Sequence, residues 1–430
     1  MNTEQQNAVD VALQGHNLLI TGAAGTGKSF VLSYIYKTMK DRGINVHLTC
    51  TTGVSCAVYP TGMATTVHRF AGILDCRHGS SEIRDVLRSN RKFDEVVQRI
   101  NETDVLIIDE CSMLSKRTFE ILNAACQLKD ASKFFGGMQL ILCGDFLQLP
   151  PVANNLYRDD GSFCFESSIF YNVVPHKVVL CEIMRQSAAE AEFKQVISEV
   201  CKGNVSENSS HFIECLSRPL PETQHFEPTL FATNQQVDSF NRNNILEMPG
   251  VLYEFQSADT GENRYLDRLT CQKVLWLKIG MPVILIRNLT DNLYNGLRGI
   301  VHDIDKDGPS VTFPTGTIRI QKVTFDVFSP SVNANIASRI QYPLKPAFGI
   351  TIHKAQGMTL ERVNVDCQQI FKPGQLGVAL SRARSCEGIR VINYDPKYCI
   401  RQPQIISDFI SEDTVPVNED VSCCKGLLTR

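Results

Sequence analysis

Gly22-Ala23-Ala24-Gly25-Thr26-Gly27-Lys28-Ser29 fits the pattern G-x-x-x-x-G-K-[S/T], and the residues on either side decide how it is read. On the amino side, His16-Asn-Leu-Leu-Ile-Thr21 reads as a short buried strand. On the carboxyl side, Phe30, Val31, Ile35 and Met39 recur at helical spacing. A strand, a glycine-rich turn and a helix form the setting in which backbone N–H groups cradle phosphates at the positive end of a helix. In such a loop Lys28 reaches the β- and γ-phosphates of ATP, and the Ser29 hydroxyl ligates Mg²⁺.

Working outward, the pattern repeats. Strands are predicted near Val46–Thr49, Val105–Ile108 and Met138–Cys143, with helical stretches between them. β-branched strands alternating with helices specify a parallel sheet covered on both faces. A second run of this kind comprises Val178–Cys181, Thr229–Ala232, Arg362–Val365 and Gly388–Asn393. The reading is therefore two α/β units, 1–175 and 176–252 with 341–415, followed by a flexible tail over 416–430. Between 253 and 340 the texture changes to short strands separated by turn signals such as Asn295-Gly296 and Lys306-Asp307-Gly308. That stretch is expected to be a small antiparallel β-barrel inserted in the second unit. Residues 74–104, with six Lys/Arg, are expected to form a lesser insertion in the first.

Val105-Leu-Ile-Ile-Asp109-Glu110 ends a buried strand in two carboxylates, at the position where open α/β sheets bind ligands. Asp109 is assigned to the Mg²⁺ shell and Glu110 to orienting and deprotonating the attacking water. Gln148, in Gly144-Asp-Phe-Leu-Gln148, follows the next strand. It either touches the γ-phosphate and the water or bonds its own loop, and spacing alone does not choose.

The bulk numbers set bounds. A formal net charge of -3 leaves nucleic-acid binding to local basic surface. Sixteen cysteines occur without one C-x-x-C pair, most of them single within apolar runs, which fits free thiols in a reducing compartment. No apolar run approaches the ~20 residues of a membrane span. Met1–Val11 reads as neither a signal nor a transit peptide, and no extension is expected before Gln5.

Longer stretches carry a resemblance. Cys111-Ser-Met-Leu-Ser, then Phe135-Gly-Gly-Met-Gln-Leu-Ile-Leu-Cys-Gly-Asp-Phe-Leu-Gln-Leu-Pro-Pro-Val152, Thr351-Ile-His-Lys-Ala-Gln-Gly-Met-Thr-Leu360 and Val378-Ala-Leu-Ser-Arg-Ala-Arg384 resemble superfamily-one helicases of the 5′-to-3′ Pif type. The resemblance implies two RecA-like P-loop domains with ATP held between them. It implies that Gln5 reads adenine, that Gly22 to Ser29 and Gly357 line the nucleotide, and that Gln148 senses the γ-phosphate. Arg185 and Arg382 match the two arginines that reach the γ-phosphate from the second unit. Cys111, Ala355 and Pro60-Thr61 depart from the usual pattern without removing a catalytic group.

The same resemblance implies an ATP-dependent helicase that steps 5′ to 3′ along single-stranded DNA and opens duplexes, junctions, G-quadruplexes or RNA–DNA hybrids. Replication, repair, recombination or telomere maintenance would be its setting, as a monomer in nucleus or mitochondrion. Expected DNA grips are Thr52, Gly53, Thr66 and His68 on the first unit and Thr351, His353 and Lys354 on the second, although either histidine is equally a core residue. Phe70 and Trp276 either stack bases or pack internally. Arg77 to Arg99 and the barrel's Lys273, Lys278, Arg287 and Arg298 are either duplex-facing or simply solvated. Two other readings stand beside this one: a P-loop switch that does not hydrolyse, which would need neither Glu110 nor the arginines, and an RNA-directed helicase.

Overall fold

The computed structural model describes residues 1–183, 190–221, 226–267, 269–290, 292–329, 334–412, 415–417 and 424. The chain divides into two compact units. The first holds residues 1–210, 372–384 and 399–430, and the second holds 211–371 and 385–398.

The first unit is built on a parallel sheet of β1 (Leu18–Gly22), β2 (Val46–Cys50), β3 (Ala64–Thr66), β4 (Val105–Asp109), β5 (Gln139–Gly144) and β6 (His176–Leu180), in the order β3-β2-β4-β5-β1-β6. Alternation along the strands assigns the faces. Leu18 and Ile20 of β1, with Val105 and Ile107 of β4, enter one core together with Ala8, Val31 and Ile35. Leu19, Leu106 and Ile108 enter the other core with Phe119, Phe135 and Phe170. Because both faces are buried, the strands read as continuous apolar runs. The covering helices on the first face are α1 (Thr3–Leu13) and α2 (Lys28–Asp41). Asn2 caps α1 in a reciprocal pair with Gln5, which fixes where the helix starts and so where Gln5 points.

One expectation is corrected here. The strand expected at Val178–Cys181 does not begin the second unit; as β6 it pairs with β1, Leu18 opposite His176 through Gly22 opposite Leu180. An apolar run announces a strand but not its sheet, and β1 had an unpaired edge to fill. Residues 74–104, expected as a lesser insertion in the first unit, follow α3 (Gly53–Cys56) and α4 (Val67–Ala71) and carry helices α5 (Ile83–Ser89) and α6 (Asp94–Glu102); Leu87, Ile100 and Phe93, from the turn between the two helices, lie in the same core as Phe119.

In the second unit a parallel sheet runs in the order Gly349–Thr351, β7 (Thr229–Phe231), Val363–Asp366, Ile389–Ile392. The inserted stretch is antiparallel, as expected. Its hydrogen bonds assort into sheets of five, three and two strands, around a core that includes Leu275, Val283, Val301 and Phe313. The five-stranded sheet takes its edge from Leu344–Pro346, beyond the expected boundary at 340.

Candidate nucleotide site and nucleic-acid edge

In the first unit, the groups singled out from the sequence sit at the carboxyl ends of parallel strands, where successive turns point the same way. The loop between β1 and α2 places Gly27 at the helix start in a left-handed conformation (φ 83°). That φ favours glycine, and a Cβ there would lie 2.7 Å from Gln5 Nε2 and displace it. Gln5 is buried and donates from Nε2 to the Thr26 carbonyl at 3.1 Å, which makes it a brace of the loop. Thr26 Oγ1 and Lys28 Nζ both donate to the Ala23 carbonyl, at 3.0 and 2.9 Å, and Lys28 also donates to the Gly22 carbonyl at 2.6 Å. Ala24 and Gly25 complete the turn.

Beneath the loop, Ser29 Oγ donates to Asp109 Oδ2 at 3.3 Å, so the two proposed ion ligands are adjacent oxygen donors. Hard oxygens of this kind suit Mg²⁺. Asp109 is also held by the Tyr59 hydroxyl, which donates to Oδ2 at 2.5 Å, and by the Glu110 amide, which donates to Oδ1 at 2.8 Å. Tyr59 was missed by sequence reasoning; it is a lone tyrosine ahead of the Pro60-Thr61 departure, with no motif spacing to mark it.

Glu110 adopts the left-handed conformation (φ 55°, ψ 39°), which is uncommon for a residue with a side chain and costs on the order of 1 kcal/mol or more. Burial, then the Asp109 charge, raises its carboxyl above the usual range, with Asp145 adding a smaller push. Lys28 and Arg382 oppose that shift. A raised carboxyl pKa brings a general base nearer the operating pH.

Gln148 is buried and donates from Nε2 to Asp145 Oδ2 at 3.0 Å, while its Oε1 is buried without a hydrogen-bond partner. An orphaned buried acceptor is costly, and such atoms mark places where a ligand or water belongs.

Arg382 is 2% exposed and donates to the Val378 carbonyl at 2.9 Å and to Ser381 Oγ at 2.8 Å. It follows the helix Gln375–Leu380, within residues 372–384 that group with the first unit. The sequence reading put this arginine on the second unit. The difference arises because Gly374 and Gly377 let the segment approach the first unit's own backbone closely. A Cβ on Gly374 would lie 2.5 Å from the Leu147 carbonyl oxygen, and one on Gly377 would lie 2.4 Å from Cys201 Sγ. Arg185 lies outside the described residues.

The expected DNA-contacting residues share one local design. Thr52 caps α3 after β2, Thr66 caps α4 after β3, and Thr351 caps the helix Ile352–Ala355 after its strand. Each threonine accepts an amide at the third position, Ser55, Arg69 and Lys354 respectively. Since β2 and β3 are neighbours at the sheet edge, Thr52, Gly53 and Thr66 flank the nucleotide strands β1, β4 and β5. Thr52 and His68 line one open pocket together with Arg117, Pro151 and Val152, three residues to which the sequence analysis gave no DNA-contact role. Burial lowers the pKa of His68, against a weaker upward pull from Asp75.

In the second unit, burial and the nearby Lys345 depress the Lys354 pKa to about 8, with Asp238 opposing. His353 stands beside it in the same helix, and Gly357 follows in a left-handed turn (φ 84°).

Several expected contact residues are structural. Phe70 is fully buried in the first core, so it stacks on no base. Arg99 donates to the Arg69 and Phe70 carbonyls at 2.8 and 2.9 Å, tying α6 to the end of α4. Lys278 is buried with its ammonium on the Met248 carbonyl, and Arg298 is half-buried with a lowered pKa caused by desolvation. Lys273 and Arg287 are exposed. Trp276 donates to Glu254 at 3.2 Å, and its ring lies 5.2 Å from the Arg242 guanidinium.

Comparison with known proteins gives consistent results. Residues 1–211 match the family model described as PIF1-like helicase, and residues 265–304 match that of the DNA helicase Pif1 2B domain. The ATP-dependent DNA helicase PIF1 of Danio rerio is 33% identical over 92% of this chain, which spans 62% of that relative's length. The crystal structure of Pif1 helicase from Candida albicans superposes with a TM-score of 0.83 at 32% identity, covering 95% of this chain and 98% of that one. A Bacteroides Pif1 helicase in complex with ADP-AlF3 and ssDNA gives 0.81 at 26% identity, covering 95% and 96%.

Proposed function

We propose, for a chain that belongs to the PIF1-like helicase family, that it is an ATP-dependent DNA helicase moving 5′ to 3′ on single-stranded DNA. One observation carries the proposal: Lys28, Ser29, Asp109, Glu110 and Gln148 meet at the ends of β1, β4 and β5, with the Arg382 charge acting on Glu110. That set contains the parts of phosphoryl transfer to water. Lys28 leaves its loop carbonyls for the β- and γ-phosphates, Gln5 and Gly357 contact the nucleotide, and Glu110 takes a proton from the attacking water. Gln148 Oε1 orients that water, and Arg382 stabilises charge on the transferring group, with Arg185 in the same role. Ser29 and Asp109 would hold Mg²⁺, which would neutralise phosphate charge when bound.

A module that only bound nucleotide would have no use for a raised carboxyl beside an arginine. Arg382 also explains coupling. Its segment is bounded in sequence by Val363–Asp366 and Ile389–Ile392, strands of the second unit's sheet. Loss of the γ-phosphate removes the arginine's partner and passes the change along the backbone to those strands. Thr52, Gly53, Thr66, His68, Thr351, His353 and Lys354 hold the DNA backbone without reading sequence. The Bacteroides relative bound to ssDNA supports that substrate.

We place the activity on forks, junctions, G-quadruplexes or RNA–DNA hybrids in nuclear DNA maintenance, with a monomer as the working form. The test is unwinding of DNA and RNA duplexes carrying 5′ or 3′ tails. ATP-dependent opening of 5′-tailed DNA is expected; opening from 3′ tails alone, or of RNA alone, overturns the assignment.

A further inference from the structure

The amino end of the first sheet, opposite the nucleotide loop, carries a cluster that the helicase chemistry does not use. His16 immediately precedes β1, and His176 opens β6 on the neighbouring strand. Cys424, from the tail, is buried against both, and one ligand atom from each of the three residues lies within 4.8 Å of the others. From this geometry we infer that His16, His176 and Cys424 form a transition-metal site that takes zinc(II) and fastens the tail to the ATPase unit.

Three features support a ligand set over simple packing. Cys424 Sγ and His16 Nδ1 are 3.7 Å apart. In tetrahedral zinc sites, a thiolate at about 2.3 Å and an imidazole at about 2.05 Å place S and N roughly 3.6 Å apart. The His176 Nδ1 lies 2.9 Å from the Val415 carbonyl oxygen. An N–H there donates to that carbonyl and leaves Nε2 with its lone pair, the outer-shell arrangement that orients metal-bound histidines. The Val415 amide in turn donates to the Pro175 carbonyl at 3.3 Å, so the tail is registered beside β6 at the point where the histidine needs its partner. Finally, the Asn17 amide donates to Cys424 Sγ at 3.4 Å, a contact that favours thiolate.

Imidazole with thiolate suits zinc over magnesium or calcium, so this site and the Ser29–Asp109 pair select different ions. Three protein ligands leave the fourth tetrahedral position to an exogenous ligand such as water. Binding releases the thiol proton and stabilises the docked tail by mass action.

The test uses the metal-free full chain and Co²⁺ as a spectroscopic probe. One equivalent should produce a near-ultraviolet thiolate-to-cobalt band that Zn²⁺ abolishes, and Zn²⁺ should raise Tm. Cys424→Ser, His16→Ala and His176→Ala should each lose the band and the Tm rise. Asp109→Asn should keep both, which separates the site from the nucleotide centre. A wild-type chain without a stoichiometric band overturns the inference independently of any variant's folding. A band that survives Cys424→Ser, or that is lost only with Cys423→Ser, overturns the ligand assignment.

Discussion

Gly377 and Cys201 are packed so closely that a methyl group added to Gly377 would sit 2.4 Å from the Cys201 sulfur. The contact joins the helix Gln375–Leu380 to the helix Ala191–Lys202, and through it Arg382 is brought within electrostatic reach of Glu110. We expect Gly377→Ala to lower DNA-stimulated ATP hydrolysis tenfold or more while ATP affinity changes little. Cys201→Ala in the same chain should restore most of the loss, because it removes the obstructing sulfur. Steady-state hydrolysis with a fluorescent-nucleotide titration checks both; failure of the second substitution to rescue argues against this packing.

Glu110→Gln keeps the side chain's shape but removes the proposed base. Loss of hydrolysis by a factor of about 10²–10⁴ is expected, with nucleotide binding retained. Single-turnover hydrolysis and equilibrium binding on one preparation distinguish this from a folding defect.

Phe70→Ala separates a stacking residue from a core residue. The side chain is fully buried among the first unit's core residues. The substitution is expected to destabilise the protein by roughly 3–5 kcal/mol in denaturant titration. Single-stranded DNA affinity of the folded fraction should stay near that of the wild type.

Lys354 gives a pH dependence whose sign follows from its depressed pKa of about 8. The folded state binds fewer protons than the unfolded chain between pH 8 and the ordinary lysine range, so this residue makes stability rise with pH across that window. Below about pH 8 the half-buried charge carries its full penalty. On the proposed role of the ammonium as a phosphate ligand, DNA binding runs the other way: affinity should fall as pH climbs through 8. Lys354→Arg should flatten the affinity profile, and Lys354→Met should weaken binding at pH 7 while raising Tm.

Much of this was legible in the residues because local rules and tertiary demands agreed. The turn from Gly22 to Ser29 required a strand before it and a helix after it, and Asp109-Glu110 could only end a buried strand. What stayed hidden was set by long-range partners. Nothing near Val178 says that its strand fills the free edge beside β1. Tyr59 finds Asp109 only through the sheet, and Arg99, a surface charge by composition, caps α4 carbonyls across the fold. The position of Arg382 depended on glycines whose role appears only against Leu147 and Cys201.

The account turns on Arg382 acting at the γ-phosphate, and Arg382→Ala measured for both hydrolysis and nucleotide affinity tests it most directly. It predicts that hydrolysis in saturating single-stranded DNA falls by a factor on the order of 10³ or more, with ATP still bound at near wild-type affinity. Turnover within a few-fold of the wild type, at equal affinity, would contradict it.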